Sequence, residues 1–176
     1  MQMRKPLQRQ RADYEAARQA LLAAVAALSP EVLNTRPLAG GWSVLEIVEH
    51  LALAERDVLR GLPALEALVV RPRSFLNRIR RRVLLAILRS RLRVPTPSTA
   101  MNPSGDRSLE EVRSLWDENA VWLCEFVNEA DEETLAAPVF MHPVSGPLTV
   151  VEVLVLAGVH LGRHREQIQA LIGAVE

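Results

Sequence analysis

Cysteine occurs once, at Cys124, so no internal disulfide braces this chain. The residue sits in Trp122-Leu123-Cys124-Glu125-Phe126, with no cationic neighbour in sequence to activate it. It therefore reads as a buried, inert thiol and not as a nucleophile. Lysine also occurs once, at Lys5, and nearly all positive charge is carried by arginine. The formal net charge is zero, so no general attraction to nucleic acid is indicated. The apolar run Leu148 to Leu161 is too short to span a bilayer and carries Glu152 and His160. Met1 to Pro6 is polar and lacks the apolar core of a signal peptide, so the expected location is the cytoplasm. Strict apolar–polar alternation is absent as well, which removes the usual sign of half-buried strands and leaves helices.

What is present is 176 residues, 49% of them apolar, enough for one domain over residues 1–176 with a sizeable core. The apolar periodicity predicts four main helices. The first runs from about Asp13 to Leu28 with the stripe Tyr14, Ala17, Leu21, Val25, Leu28. The second starts at Ser43 and runs to about Leu59. The third starts at Ser108 and runs to about Glu129. The fourth starts at Thr149 and runs to about Ile172. Ser43-Val44-Leu45-Glu46, Ser108-Leu109-Glu110-Glu111 and Thr149-Val150-Val151-Glu152 are capping boxes. In each, the hydroxyl takes a helical N–H and the glutamate reaches back to the cap N–H. Trp42 with Ile47, and Leu148 with Val153, supply hydrophobic staples.

A weak internal repeat links the halves. Ser29-Pro30-Glu31-Val32-Leu33, then Pro37 and the Ser43 helix, resembles Asp131-Glu132-Glu133-Thr134-Leu135, then Pro138 and the Thr149 helix. The expected fold is all-α: a four-helix bundle with one long crossover, from Gly61 to Arg107, carrying an extra amphipathic helix. Within that crossover, Arg71 to Arg93 holds nine arginines and no acidic residue. Its apolar stripe is Phe75, Ile79, Val83, Ile87, widened by Leu76, Leu84 and Leu88. Such a helix either packs this stripe on the bundle or a second subunit, or binds a membrane surface or acidic partner. Packing on protein is the expectation. The stretches Val94 to Thr99 and Asn102 to Gly105 read as extended loop.

Only four histidines occur, and two of them, His160 and His164, are one helical turn apart on the core stripe Val153, Ala157, His160, His164, Ile168, Leu171. Two imidazoles on an apolar stripe are costly unless something satisfies them. A third, His50, lies within the second helix. The pseudo-symmetry puts both histidine-bearing helices at corresponding places in the two halves, so a bundle can bring them together. Three neutral imidazoles on one ion leave coordination positions open, the arrangement of a catalytic and not a structural site. Imidazole suits zinc, nickel, iron and copper, so the donor set does not name the metal.

The residues Gly41-Trp42-Ser43, His50-Leu51, His142-Pro143-x-x-Gly146-Pro147-Leu148-Thr149 and His160-x-x-x-His164-x-x-Gln167-Ile168, in this order, resemble the DinB/YfiT-like superfamily. The resemblance spans about Asp13 to Ile172. It implies a frequently dimeric four-helix bundle with a divalent metal, zinc or nickel first and iron next, on His50, His160 and His164. It also implies activities centred on low-molecular-weight thiols and small electrophiles.

A metal with open positions lowers the pKa of a bound thiol or water. Thiol chemistry gives an S-transferase; water chemistry gives a hydrolase on the same triad. A third reading is a non-enzymatic metal-stabilised module that binds a partner through the arginine-rich helix. No strong general base accompanies the ligands: Glu46 belongs to a capping box and Asp57 is two turns from His50. Gln167 is placed to support a ligand. His142 is expected to fix its loop or stand at the pocket rim. Arg163 and Arg165 are candidates to hold a cosubstrate carboxylate or to stand solvated. Gly158 and Gly162 are expected to allow close helix approach, with pocket space second.

Overall fold

Cap chemistry fixes where the long helices begin in the computed structural model, which describes residues 4–38, 40–59, 68–90 and 96–174. Helices α3 (Val44–Leu59), α5 (Leu109–Glu129) and α7 (Val150–Ile172) all start behind their capping hydroxyls. In α3 the Ser43 N–H donates to Glu46 at 2.8 Å and Ser43 Oγ accepts the Glu46 N–H at 3.3 Å. The same reciprocal pairs cap α5 at Ser108 and α7 at Thr149. Helix α1 (Arg4–Ala26) starts well before the expected Asp13. Pro6 does not prevent this, because in the first turn its missing N–H would have had no helical partner. The extra turns bury Leu7, at 1% exposure, and let Arg4 donate to the Asn128 and Ala130 carbonyls at the end of α5. The short helices α2 (Pro30–Asn34) and α6 (Glu132–Ala136) stand at corresponding places in the two halves, as the repeat predicts.

The core forms two clusters that give the helix directions. One joins Leu7 of α1, Val58 and Leu59 of α3, Leu123 to Val127 of α5, and Val150 to Leu154 of α7. The other joins Leu21 to Val25 of α1, Val44 to Ala52 of α3, Val112 and Trp116 of α5, and Leu161 and Ile168 of α7. The start of α3 therefore lies with the start of α5 and with the ends of α1 and α7. So α3 and α5 run parallel, and the chain between them must travel back along the bundle. That is the physical reason for the one long crossover. Helix α3 packs on α5 and on α7, bringing the two histidine-bearing helices side by side.

A two-stranded hairpin was not expected. Strands β1 (Phe140–His142) and β2 (Gly146–Leu148) pair antiparallel, with Phe140 opposite Leu148 and His142 opposite Gly146. Three-residue strands are too short to show a period of two. The tight turn needs Gly146 at φ +77°, a left-handed conformation open to glycine. A Cβ there would also stand 2.5 Å from Asn77 Nδ2.

The crossover carries α4 (Phe75–Arg89), capped by a reciprocal Ser74–Asn77 pair. Only part of its apolar stripe packs on the bundle. Leu84, Ile87 and Leu88 are half-buried toward α7, but Phe75, Ile79 and Val83 stand 75, 40 and 51% exposed. Arg73 and Arg81 both reach Glu152 of α7. Arg163 reaches the Ile87 and Ser90 carbonyls at the other end of α4. These polar ties set the roll of the helix and turn its Phe75–Val83 row away from the bundle. Arg91, Arg93, Val94 and Pro95 lie outside the described residues. Thr99, expected as the end of an extended loop, instead opens a short 3-10 turn, Thr99–Met101, capped by Ser98.

Candidate metal centre

The side-chain geometry brings three histidines to a point. His50 on α3 faces His160 and His164 on α7. The His50 and His160 Nε2 atoms are 3.2 Å apart, and those of His164 and His160 are 3.0 Å apart. His50 Nδ1 lies 2.8 Å from the Met101 carbonyl oxygen. A carbonyl only accepts, so Nδ1 carries the proton and Nε2 presents a lone pair. His164 Nδ1 lies 3.0 Å from Gln167 Oε1, which fixes the same tautomer. Two outer imidazoles thus aim lone pairs at the third. A proton on His160 Nε2 satisfies one of them well and leaves the other unmatched. A cation between the three resolves the conflict. Two nitrogens bound to one ion at about 2.0–2.1 Å stand about 3.0–3.4 Å apart, which is the spacing present here. Among the described residues this is the group of His, Cys, Asp or Glu side chains whose donor atoms converge as a metal site would require.

The local electrostatics keep the triad in its ligating form. Burial pushes the His50 pKa below its ordinary value, against the Met101 hydrogen bond. Burial, with the facing His50, lowers His164 to about 4. His160 is driven well below 6.5 by burial and by His164 and His50. All three are neutral imidazoles at neutral pH.

The site opens on a cavity of about 1040 Å³ whose wall is predominantly apolar, including Leu51, Val58, Leu84, Leu156 and Leu171. His142 also lines it. Its Nδ1 accepts the Val144 and Ser145 N–H groups at 3.1 and 3.2 Å, so it closes the hairpin turn and is not one of the converging ligands. Arg163 lines the cavity too, but its guanidinium reaches the end of α4. Arg165 is exposed. Gly158 and Gly162 do not mark close approach: a Cβ on either meets nothing within 4 Å, and neither lines the cavity. The structure gives no reason for these two glycines. Cys124 is half-buried, accepts a weak hydrogen bond from Asn128 and stands away from the cavity.

The sequence model of the DinB superfamily matches residues 13–168. The chain belongs to the DinB superfamily. The crystal structure of TT2238, a four-helix bundle protein, is similar at 27% identity and a TM-score of 0.55, covering 96% of this chain and 99% of that one. No curated protein matches.

In this DinB-superfamily chain three supports of the triad escaped sequence reasoning. Trp42, read as a staple and as part of the Gly41-Trp42-Ser43 motif, lays its ring 4.7 Å from that of His50. Met101 contributes a backbone oxygen, which no side-chain pattern marks. Glu49, beside His50 and 1% exposed, accepts hydrogen bonds from the Ser104 and Gly105 backbone, the Ser104 hydroxyl and Arg107. It pins the returning crossover to α3 and so places Met101 against His50. A buried charged residue next to a ligand was the available signal. Glu55 was also passed over. It lines the cavity wall, with its Oε2 accepting Tyr14 Oη and the Trp116 indole N–H. Burial raises its pKa, against the Tyr14 and Trp116 hydrogen bonds.

Proposed function

We propose that this chain is a metal-dependent transferase that joins a low-molecular-weight thiol to a small, largely apolar electrophile. The carrying observation is the convergence of three neutral Nε2 donors at the wall of a large apolar cavity. His50, His160 and His164 would hold the ion, a zinc or nickel ion first. When bound, it supplies a Lewis acid that favours the ionised form of a thiol at neutral pH. The chain's own residues do the rest. Met101 and Gln167 fix the ring orientations. The apolar wall accepts the electrophile and excludes water. Of the two carboxyls that line the cavity, Glu55 has its Oε2 tied to Tyr14 and Trp116 and Glu166 is exposed, so neither stands out as a base for water. A reaction whose nucleophile arrives as a thiol needs no such base, which favours transfer over hydrolysis.

The test uses purified full-length protein loaded with cobalt or nickel. A small thiol should add a sulfur-to-metal charge-transfer band that His160→Ala abolishes. Conjugation of a chlorobimane, forming the S–C bond and releasing chloride, should then require both thiol and metal. Metal-dependent ester hydrolysis that thiol suppresses would reverse the assignment in favour of a hydrolase. Absence of both activities across several thiols would favour a binding module.

A further inference from the structure

Ten large hydrophobic side chains are exposed among the described residues, and eight of them share one neighbourhood. Val69, Val70, Phe75, Leu76, Ile79 and Val83 come from the approach to α4 and its first turns. Met141 and Val144 come from the hairpin. The two segments touch: the Arg71 N–H donates to the Pro138 carbonyl, and Asn77 Nδ2 donates to the Ser145 carbonyl, each at 3.3 Å.

On α4 the exposed apolar side chains Phe75, Leu76, Ile79 and Val83 fall within about 100° of one another around the axis. Arg78, Arg82 and Arg89 lie along one flank of that arc and Arg80 along the other. All four are exposed, as is Arg71. No carboxylate among the described residues pairs with any of these five. The stretch Arg71 to Arg89 contains seven arginines and no acid, in a chain whose net charge is zero. Meanwhile Arg73 and Arg81 tie the inner side of the helix to Glu152, so the outward face is held outward.

An apolar arc with arginines on both flanks matches a surface that is apolar inside and anionic at its rim. We infer that α4 and the hairpin tip form a docking face for the surface of an anionic lipid bilayer. The apolar side chains enter the acyl boundary and the flanking arginines meet the headgroup phosphates. The helix lies in the surface and does not cross it: no helix among the described residues is long and apolar enough to span. A second copy of the chain fits less well. Two α4 faces related by a two-fold axis would set arginine against arginine. The acidic groove of α5, lined by Glu110, Asp117, Glu118 and Glu125, offers Val121 as its exposed large hydrophobic. Asp117 and Glu118 there already pair with Arg18 and Arg56. Docking by this face would bring the metal cavity, lined by Leu84, Ile87 and Leu88 on the other side of α4, close to the bilayer. The inference stands independently of the reaction proposed above.

Full-length protein is sedimented with phosphatidylcholine vesicles, with and without phosphatidylglycerol, at low and physiological salt. Binding is expected on the anionic vesicles, weakening as salt rises. The R78Q/R82Q/R89Q variant should lose about fivefold per arginine, on the order of a hundredfold in all, with an unchanged thermal melt. I79S/V83S should lose binding as well, since polar side chains no longer enter the acyl region. No binding to anionic vesicles at physiological salt overturns the inference. So does equal binding to neutral vesicles. A lipid-free dimer that I79S/V83S dissociates would assign the face to a second copy instead.

Discussion

Replacing Glu49 by glutamine tests how the triad is held in place. The wild-type carboxylate is 1% exposed and accepts the Ser104 N–H at 3.1 Å, the Ser104 hydroxyl at 3.0 Å, the Gly105 N–H at 3.2 Å and the Arg107 guanidinium. In Glu49→Gln one acceptor oxygen becomes an NH₂ group that faces a donor. If the amide oxygen keeps the three-donor side, the Gly105 N–H still loses its partner. Gly105 is itself exposed, so water offsets part of the loss of its partner, while the remaining bonds lose their charge assistance. Arg107 is 38% exposed, so its ion pair adds little. The expected loss is about 1–1.5 kcal/mol, read from urea unfolding at pH 7. Burial pushes the Glu49 pKa up, but the Ser104 and Gly105 N–H groups and Arg107 hold it below its ordinary 4.5. A carboxyl depressed on folding stabilises fully above its unfolded pKa and loses that contribution as pH falls through the folded value. The gap between variant and wild type should therefore be flat near neutrality and shrink below about pH 4. Metal affinity should fall too, because Met101 loses its seat against His50. A stability change under about 0.5 kcal/mol at pH 7, with metal retained, would refute the clamp.

Protein purified without chelator should carry about one divalent ion per chain, and His160→Ala should lose most of it by elemental analysis. Full occupancy in a variant with His50, His160 and His164 all replaced by alanine would sink the site. Gln167→Ala removes the acceptor that orients His164 and should weaken metal binding about 10–100-fold in a competition titration. Gly146→Ala should destabilise by about 1–2 kcal/mol or more in thermal melts, from its positive φ and its clash with Asn77. Gly158→Ala and Gly162→Ala should each stabilise by about 0.5–1 kcal/mol, as helix positions with open space around them. If these two variants prove destabilising, another surface packs on that face of α7.

Much of the bundle is legible in the sequence because its signals are local. A cap hydroxyl and its glutamate three residues on meet within one turn, so Ser43, Ser108 and Thr149 announce α3, α5 and α7 directly. The pairing of His160 with His164 is likewise set by one turn of helix. What escaped depends on distant partners. The stripe of α4 can be read, but its roll is decided by Arg73 and Arg81 meeting Glu152, more than 70 residues away. The hairpin is held by a glycine turn and by His142 accepting two backbone N–H groups, with strands too short to alternate. Met101 acts through its backbone, which every residue possesses. Glu55 carries no local signal of its burial, at 8% exposure, between α1 and α5, because its partners Tyr14 and Trp116 are distant in sequence.

Three buried carboxylates and the half-buried Glu152 share one use. Glu46 caps α3 and holds Arg36 from the segment after α2. Glu49 holds the returning crossover. Glu55 joins α1 to α5 through Tyr14 and Trp116. Glu152 caps α7 and anchors α4. Each of these acids thus helps to hold a neighbouring segment in place, Glu55 through its Oε2 alone. The histidines stand in the opposite condition: their Nδ1 atoms, at His50 and His164, are satisfied by the protein, and their Nε2 atoms converge on one point. Imidazole lone pairs gathered together beside acids that mainly hold the scaffold form a group that could hold a cation. This supports the proposed thiol transfer, in which the nucleophile is brought in by the ligand and a thiol is the common small molecule that arrives closest to ionisation at neutral pH.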